Sequence, residues 1–417
     1  MEQVQFLNMA RPGLLRRQVV FSLSFLAWSI SALNTATTYL FFQDEPKNGT
    51  AFSILSSCTL LLLATLACLI FGSPKKVAWP KPAKCSFAYF AFTGLSLFWT
   101  EASSLSSAAG YWLGLAADLL FVLILFACED EETVAISAVK GFVVGTVAVA
   151  LIAWTAPGTP DLRMGQEDYL HPNALGYQFA LAALFAIYLA LRYRTRGYWW
   201  LVASLDFSLT RTLSKSSILA FSGAAVFYIF FRTPLLWRRK LKIAAVHIIL
   251  MVLSWPLVSS YVQEYSQSAA VGSFTGRTVI WASSWEIASE RPWIGHGFYS
   301  YRSIVPFFGE FEAWQAHNDL LQQFFSYGTV GLLLACAVYV SLLRYLRRSR
   351  SSPEVDLGYG IFVFGLIHGL TEANHIDLAI PVRLIVLLVV WCNLASRRSG
   401  KLHSANPDRT DYPYAQA

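Results

Sequence analysis

Charge is what this 417-residue chain has least of: Asp, Glu, Lys and Arg make up 14%, against 55% hydrophobic residues and a mean hydropathy of +0.47. A soluble domain usually carries about a quarter charged residues, so the bilayer replaces water as the main solvent. Cysteine is sparse as well. The six positions, Cys58, Cys68, Cys85, Cys128, Cys336 and Cys392, lie in or at the edges of apolar runs, and no disulfide or metal framework is expected from them. Gly-rich phosphate loops, dinucleotide fingerprints, zinc-ligand spacings and DxD-type nucleotide-sugar signatures are missing, and no internal repeat is visible. These absences favour a donor whose leaving group is held by Arg and Lys side chains without a metal.

Long apolar runs dominate. Ala51 to Phe71 and Gly110 to Cys128 contain no charge except Asp118, and each approaches the roughly 20 residues that cross a hydrocarbon core. Spans are predicted at 19–42, 51–71, 85–100, 110–128, 133–155, 174–191, 199–213, 216–231, 243–259, 319–343, 358–374 and 378–395. The expected fold is an all-α polytopic membrane protein with about twelve transmembrane helices, ten at the least. The third, seventh and eleventh are short or polar, and the seventh and eighth can form one re-entrant pair. The first run begins at Val19 without a small-residue cleavage pattern and reads as a retained helix.

The net charge of +7 does not point to nucleic acid, because the basic residues fall in short clusters between apolar runs. With the N-terminus inside, clusters around Arg16, Lys76, Arg194, Arg239, Arg347 and Arg398 all become cytoplasmic, as the positive-inside rule requires. The chain then divides into a cytoplasmic N-terminus (1–18), helices 1–9 (19–259), a large periplasmic loop (260–318), helices 10–12 (319–395) and a polar, disordered cytoplasmic tail (396–417). Inside the loop, Val279, Ile280, Trp281 and Trp285 have helical spacing, and Arg291-Pro292 ends that helix.

Few cations face outward: Arg163, Arg211, Lys215, Arg277, Arg291, Arg302 and Arg383, with Lys47 in the first loop. A cation beside hydrocarbon is costly unless paired or used. Arg211 and Lys215 are spaced i, i+4, which places both on one helical face. Arg277 follows Gly276 at the start of the loop helix, where free backbone N–H groups favour an anion. Together they suit a diphosphate, Arg as a planar fork and Lys as a point charge. The competing reading makes them interfacial anchors or partners of Asp206, Glu264 and Glu286.

His317 stands in Ala316-His317-Asn318-Asp319 at the mouth of a predicted helix, where a neutral imidazole can take a proton from a hydroxyl. It can equally be part of a helix cap, and His171 before Pro172-Asn173 has the same two readings. His296, flanked by glycines, reads as a turn residue. Glu372, Asn374, His375, Asp377 and Arg383 form a polar group at the outer end of the last two helices, suited either to sugar hydroxyls or to an internal ion-pair network.

Four segments, in order, carry a family likeness: His171-Pro172-Asn173-Ala174-Leu175-Gly176; Ser214-Lys215-Ser216-Ser217; Gly276-Arg277 through Arg291-Pro292-Trp293-Ile294-Gly295-His296-Gly297-Phe298; and His317-Asn318-Asp319-Leu320-Leu321 followed by Tyr327-Gly328-Thr329-Val330-Gly331. Through them the chain resembles the O-antigen ligase and polymerase superfamily of bacterial envelope proteins. The resemblance implies a GT-C-like, metal-independent, inverting glycosyltransferase of the inner membrane, working at the periplasmic face without a cofactor. Its donor would be a glycan on undecaprenyl diphosphate, and its acceptor lipid A-core or a second lipid-linked glycan. By motif, Arg277 and Lys215 would hold the diphosphate, with Arg211 one turn before Lys215 as the other claimant, and His317 would activate the acceptor hydroxyl. His171, Asn173, Arg291, Asn318, Glu372, His375 and Arg383 are further candidate substrate contacts. Ser-Lys-Ser-Ser and His-Pro-Asn-Ala-Leu-Gly look more like polymerase members. The alternative is a ligase, and the more remote one a lipid-linked oligosaccharide flippase or secondary transporter, which would need repeated halves.

Overall fold

A computed structural model describes residues 12–71, 77, 79–129, 131–159, 162–166, 169–253, 259, 277–308, 312–349 and 351–373. These residues are helical apart from connections and one isolated bridge between Gln166 and Leu170. The helices are α1 (Pro12–Phe41), α2 (Pro46–Phe71), α3 (Lys81–Leu95), α4 (Leu105–Cys128), α5 (Glu131–Thr155), α6 (Pro172–Tyr193), α7 (Arg196–Arg211), α8 (Lys215–Val226), α9 (Trp237–Leu253), α10 (Arg277–Glu290), α11 (Tyr301–Ile304), α12 (Asp319–Arg348) and α13 (Pro353–Gly369).

Among the described residues six helices, α1, α2, α4, α5, α6 and α12, are long and apolar enough to cross a membrane, fewer than the twelve spans expected. The difference lies in length. Helices α7 and α13 have 16 and 17 residues, α3 and α8 have 15 and 12 before continuing as a 3-10 turn (Ser96–Phe98) and a π-helical turn (Phe227–Arg232), and α9 is described over 17. At 1.5 Å per residue the α-helical part described in each falls short of the roughly 30 Å hydrocarbon core. The expected span at 378–395 lies outside the described residues.

Helix α6 is the axis of the bundle. Pro172 suits its first turn, having no N–H to leave unpaired, and His171 caps it. Its alanines, Ala180, Ala182, Ala183, Ala186 and Ala190, are buried and let neighbouring backbones approach closely. The buried Gln178 amide donates to Ala32 O (2.9 Å) and Thr146 Oγ1 (3.2 Å), joining α1, α5 and α6 where no water can substitute.

Polar contacts sort to two ends. At one, Arg192 at the end of α6 pairs with Glu132 and Glu354, and Arg232 pairs with Asp356 (2.8 Å). The connections α3–α4, α5–α6 and α7–α8 and the residues after α13 meet at the other end with the segments 277–308 and 312–318, as helix alternation demands.

One expectation from composition fails. Cys68 and Cys128 form a disulfide, their Cα atoms 5.7 Å apart, because α2 and α4 pack together and bring their final turns into register. Spacing in the sequence carries no information about that pairing.

Helix α12 is broken at Gly328, whose backbone (φ 60°, ψ −163°) is not helical. The break is filled by the segment 292–297. Thr329 N donates to Pro292 O (2.7 Å) and Val330 N to Trp293 O (3.1 Å), while Phe325 O and Ser326 O accept from His296 N (3.0 Å) and Gly297 N (2.8 Å). Groups orphaned by the break are therefore paired. A Cβ on Gly328 would lie 2.3 Å from the Trp293 carbonyl carbon, a collision with backbone at a φ that other residues adopt reluctantly. Gly328→Ala should destabilise the protein by about 3 kcal/mol, read as an earlier thermal transition in detergent. Gly197→Ala, with nothing within 4 Å of its Cβ, should leave the transition where it is or raise it.

Candidate functional site

A carboxylate from the residues after α13 collects the site. Glu372 is 3% exposed, and its two oxygens are shared among four side chains from three other parts of the chain. Arg277 Nη2, at the start of α10, donates to Oε1 (2.5 Å), and Asn173 Nδ2, in the first turn of α6, lies 3.4 Å from the same oxygen. His317 Nδ1 donates to Oε2 (2.8 Å), as does Gln315 Nε2 (3.1 Å). Gln315 Oε1 in turn accepts from Ala373 N (3.0 Å), which fixes the carboxylate's own backbone. Burial pushes the Glu372 carboxyl upward, but the hydrogen bond and charge of His317, with the charges of Arg277 and His368, outweigh it and hold the group below the usual carboxylate range.

His317 is not the helix cap. Asn318 has that role: its Oδ1 accepts from Leu321 N (3.0 Å), and its Nδ2 donates to Leu370 O (3.2 Å). His317 has a left-handed backbone (φ 47°), a conformation that costs a non-glycine residue about 1–2 kcal/mol. With Nδ1 committed to Glu372, Nε2 is the ring nitrogen that the neutral form leaves as an acceptor.

Two further cations flank this group. Arg163, in the α5–α6 connection, donates from Nη2 to Asn173 Oδ1 (2.5 Å) and from Nε to Thr212 O (3.0 Å). It thereby joins the turn before Lys215 to the start of α6. Lys215 stands in the break between α7 and α8 with its side chain exposed. Partial desolvation and the nearby charges of Arg163 and Arg277 hold its ammonium below the ordinary lysine range. The charges of Arg163 and Arg277 thus both reach Lys215, and Arg277 is paired with the buried carboxylate.

Arg211 and Lys215 do not share a helical face, contrary to their spacing. Helix α7 ends at Arg211, Leu213 takes a left-handed turn (φ 49°) and α8 starts at Lys215. The Arg211 guanidinium lies 5.7 Å from the centre of the Trp154 ring. Arg291 also stands elsewhere, paired with Glu101, whose other oxygen receives His296 Nδ1 (2.8 Å). His171 accepts from Asn173 N (3.2 Å) as the cap of α6. Asp206, considered above as a partner for one of these cations, is instead bonded by His247 Nδ1 (2.9 Å). Glu264, Asn374, His375, Asp377 and Arg383 lie outside the described residues. Sequence reasoning assigned no role to Gln315 and counted Arg163 only among outward cations; the signal for Arg163 is its place eight residues before the His171-Pro172-Asn173 motif. Among the described residues no three His, Cys, Asp or Glu side chains converge as metal ligands.

Fold and site together define a multi-pass helical membrane protein with a cluster of cations and a carboxylate-bonded histidine at one end of its bundle. Residues 199–336 match the family model for O-antigen ligase. Over 134 residues the chain is 37% identical to an O-antigen ligase of Pseudomonas aeruginosa, a match covering 30% of this chain and 33% of that relative. The region matched by the family model includes Lys215, Arg277 and His317, and the resemblance to the O-antigen ligase superfamily read from the motifs is found again by both comparisons.

Glu372→Gln tests the carboxylate as the collecting group. A depressed carboxyl stabilises the fold above its unfolded value, and that contribution disappears as pH falls through the folded value. The thermal transition of the wild type should therefore exceed that of the variant by a constant margin from neutral pH down to about 5, with the margin closing below about pH 4.

Proposed function

We propose that this chain is a metal-independent, inverting glycosyltransferase of the O-antigen ligase family, set in the bacterial inner membrane with its termini in the cytoplasm and its site at the periplasmic face. It transfers a glycan from undecaprenyl diphosphate to a sugar hydroxyl. The observation that carries this reading is the bridging of Arg277 and His317 by one buried carboxylate, beside Lys215 and Arg163.

In this mechanism Lys215 and Arg277 hold the diphosphate, and Lys215 has a stronger claim than Arg211, which is turned onto Trp154. The acceptor oxygen attacks the anomeric carbon from the face opposite the diphosphate while the bond to the phosphate oxygen breaks. The bonding pair leaves with the diphosphate, whose growing charge the fixed cations stabilise. The acceptor proton passes to His317 Nε2, and Glu372 stabilises the imidazolium that results, as a carboxylate does when it orients a histidine base. Lipid enters from the side of the bundle, and the segment 277–318 covers the sugar ends.

The Pseudomonas relative favours lipid A-core as the acceptor, and the Ser-Lys-Ser-Ser and His-Pro-Asn-Ala-Leu-Gly motifs favour a second lipid-linked unit. Purified protein given undecaprenyl-diphosphate glycan and each acceptor in turn separates ligase from polymerase. With the acceptor that works, His317→Ala should lower transfer about a thousandfold and Arg277→Ala by a similar factor. Full transfer by either variant at equal protein level would sink the proposal.

A further inference from the structure

We infer that Trp314 is a stacking platform for a pyranose ring of the acceptor glycan, an inference that rests on the glycosyltransferase reading above. The segment 313–317 alternates in its surroundings. Ala313 and Ala316 are buried, at 2% and 0% exposed, and Ala316 N donates to Gln322 Oε1 (2.7 Å). Between them Gln315 reaches Glu372, while the Trp314 indole turns outward, 54% exposed. The ring is held rather than loose. The Arg302 guanidinium lies 4.5 Å from its centre and 5.8 Å from that of Tyr299, so one cation spans two rings. Tyr299 is fixed in turn by a left-handed backbone (φ 65°) and by Tyr111, whose ring centre is 5.5 Å away.

The occupant follows from chemistry and place. A pyranose presents a face of C–H bonds carrying partial positive charge, and an indole face attracts it through the same quadrupole that attracts a cation. Arg302 beside the ring supplies donors for hydroxyl or acidic groups at the sugar's edge. Trp314 is three residues from His317, the group that meets the acceptor hydroxyl, whereas the diphosphate cations come from α8 and α10. The platform thus belongs to the acceptor side. Trp293, 71% exposed in the turn after α10, has no stacked cation among the described residues and serves as the control.

The test measures binding apart from transfer. Delipidated core oligosaccharide and the free repeat oligosaccharide, released from the lipid by mild acid, are titrated onto the purified full-length protein by saturation-transfer NMR. One of them should bind, with Trp314→Ala weakening it about tenfold or more and Trp314→Phe and Trp293→Ala staying within about threefold of wild type. In the transfer assay Trp314→Ala should raise the acceptor KM and leave the donor KM unchanged. Equal binding by wild type and Trp314→Ala, binding of neither sugar, or quenching of Trp314 by brominated lipid would each overturn the inference. Loss of transfer in His317→Ala alongside equal sugar binding in Trp314→Ala would leave the enzymatic reading standing while removing this one.

Discussion

The site depends on one buried negative charge. A carboxylate removed from water is unstable unless cations and donors replace the lost hydration, and Glu372 finds them in Arg277, His317, Gln315 and Asn173. These residues are far apart in sequence, and without the acid the cations would repel one another. With it, Arg277 and His317 are placed by the same atom group, Oε1 toward Arg277 and Oε2 toward His317. Deleting the acid therefore releases Arg277 and His317 together.

Strain accompanies this arrangement. Five non-glycine residues among those described have a positive φ, and four of them, Leu162, Leu213, Tyr299 and His317, lie in connections at the site end. Leu162 precedes Arg163, Leu213 stands two residues before Lys215, and His317 is itself bonded to Glu372. Such conformations cost about 1–2 kcal/mol each and persist only where the surroundings enforce them. The buried bundle beneath, with α6 at its centre, provides that enforcement. The cations are consequently aimed before any ligand arrives, which spares the ordering cost at the moment of binding.

Hydropathy made the long helices legible, because apolar runs near 20 residues have few alternatives in lipid. The shorter helices were legible as helices but not as spans, since length and not periodicity decides that. His317, Arg277 and Lys215 could be picked out by motif, and their convergence is a tertiary fact that no local pattern encodes. Glu372 was visible only as one polar residue in a group; its role depends on partners 55 and 95 positions away. Arg291 shows the opposite case. It lies inside the most recognisable motif, yet it pairs with Glu101 and supports the turn rather than the cluster around Glu372. The Cys68–Cys128 bond escaped because two apolar runs give no sign of which turns will touch.

The segment 292–297 and the broken helix α12 complete each other's hydrogen bonding, so neither is a finished structure alone. Backbone groups at Phe325, Ser326, Thr329 and Val330 that helix geometry abandons are matched by a loop made earlier in the chain. Exchange of parts between relatives is constrained accordingly: a chimera that takes residues 291–298 from one protein and 325–331 from another joins two surfaces shaped for different partners, whereas a crossover outside 291–331 moves the pair intact.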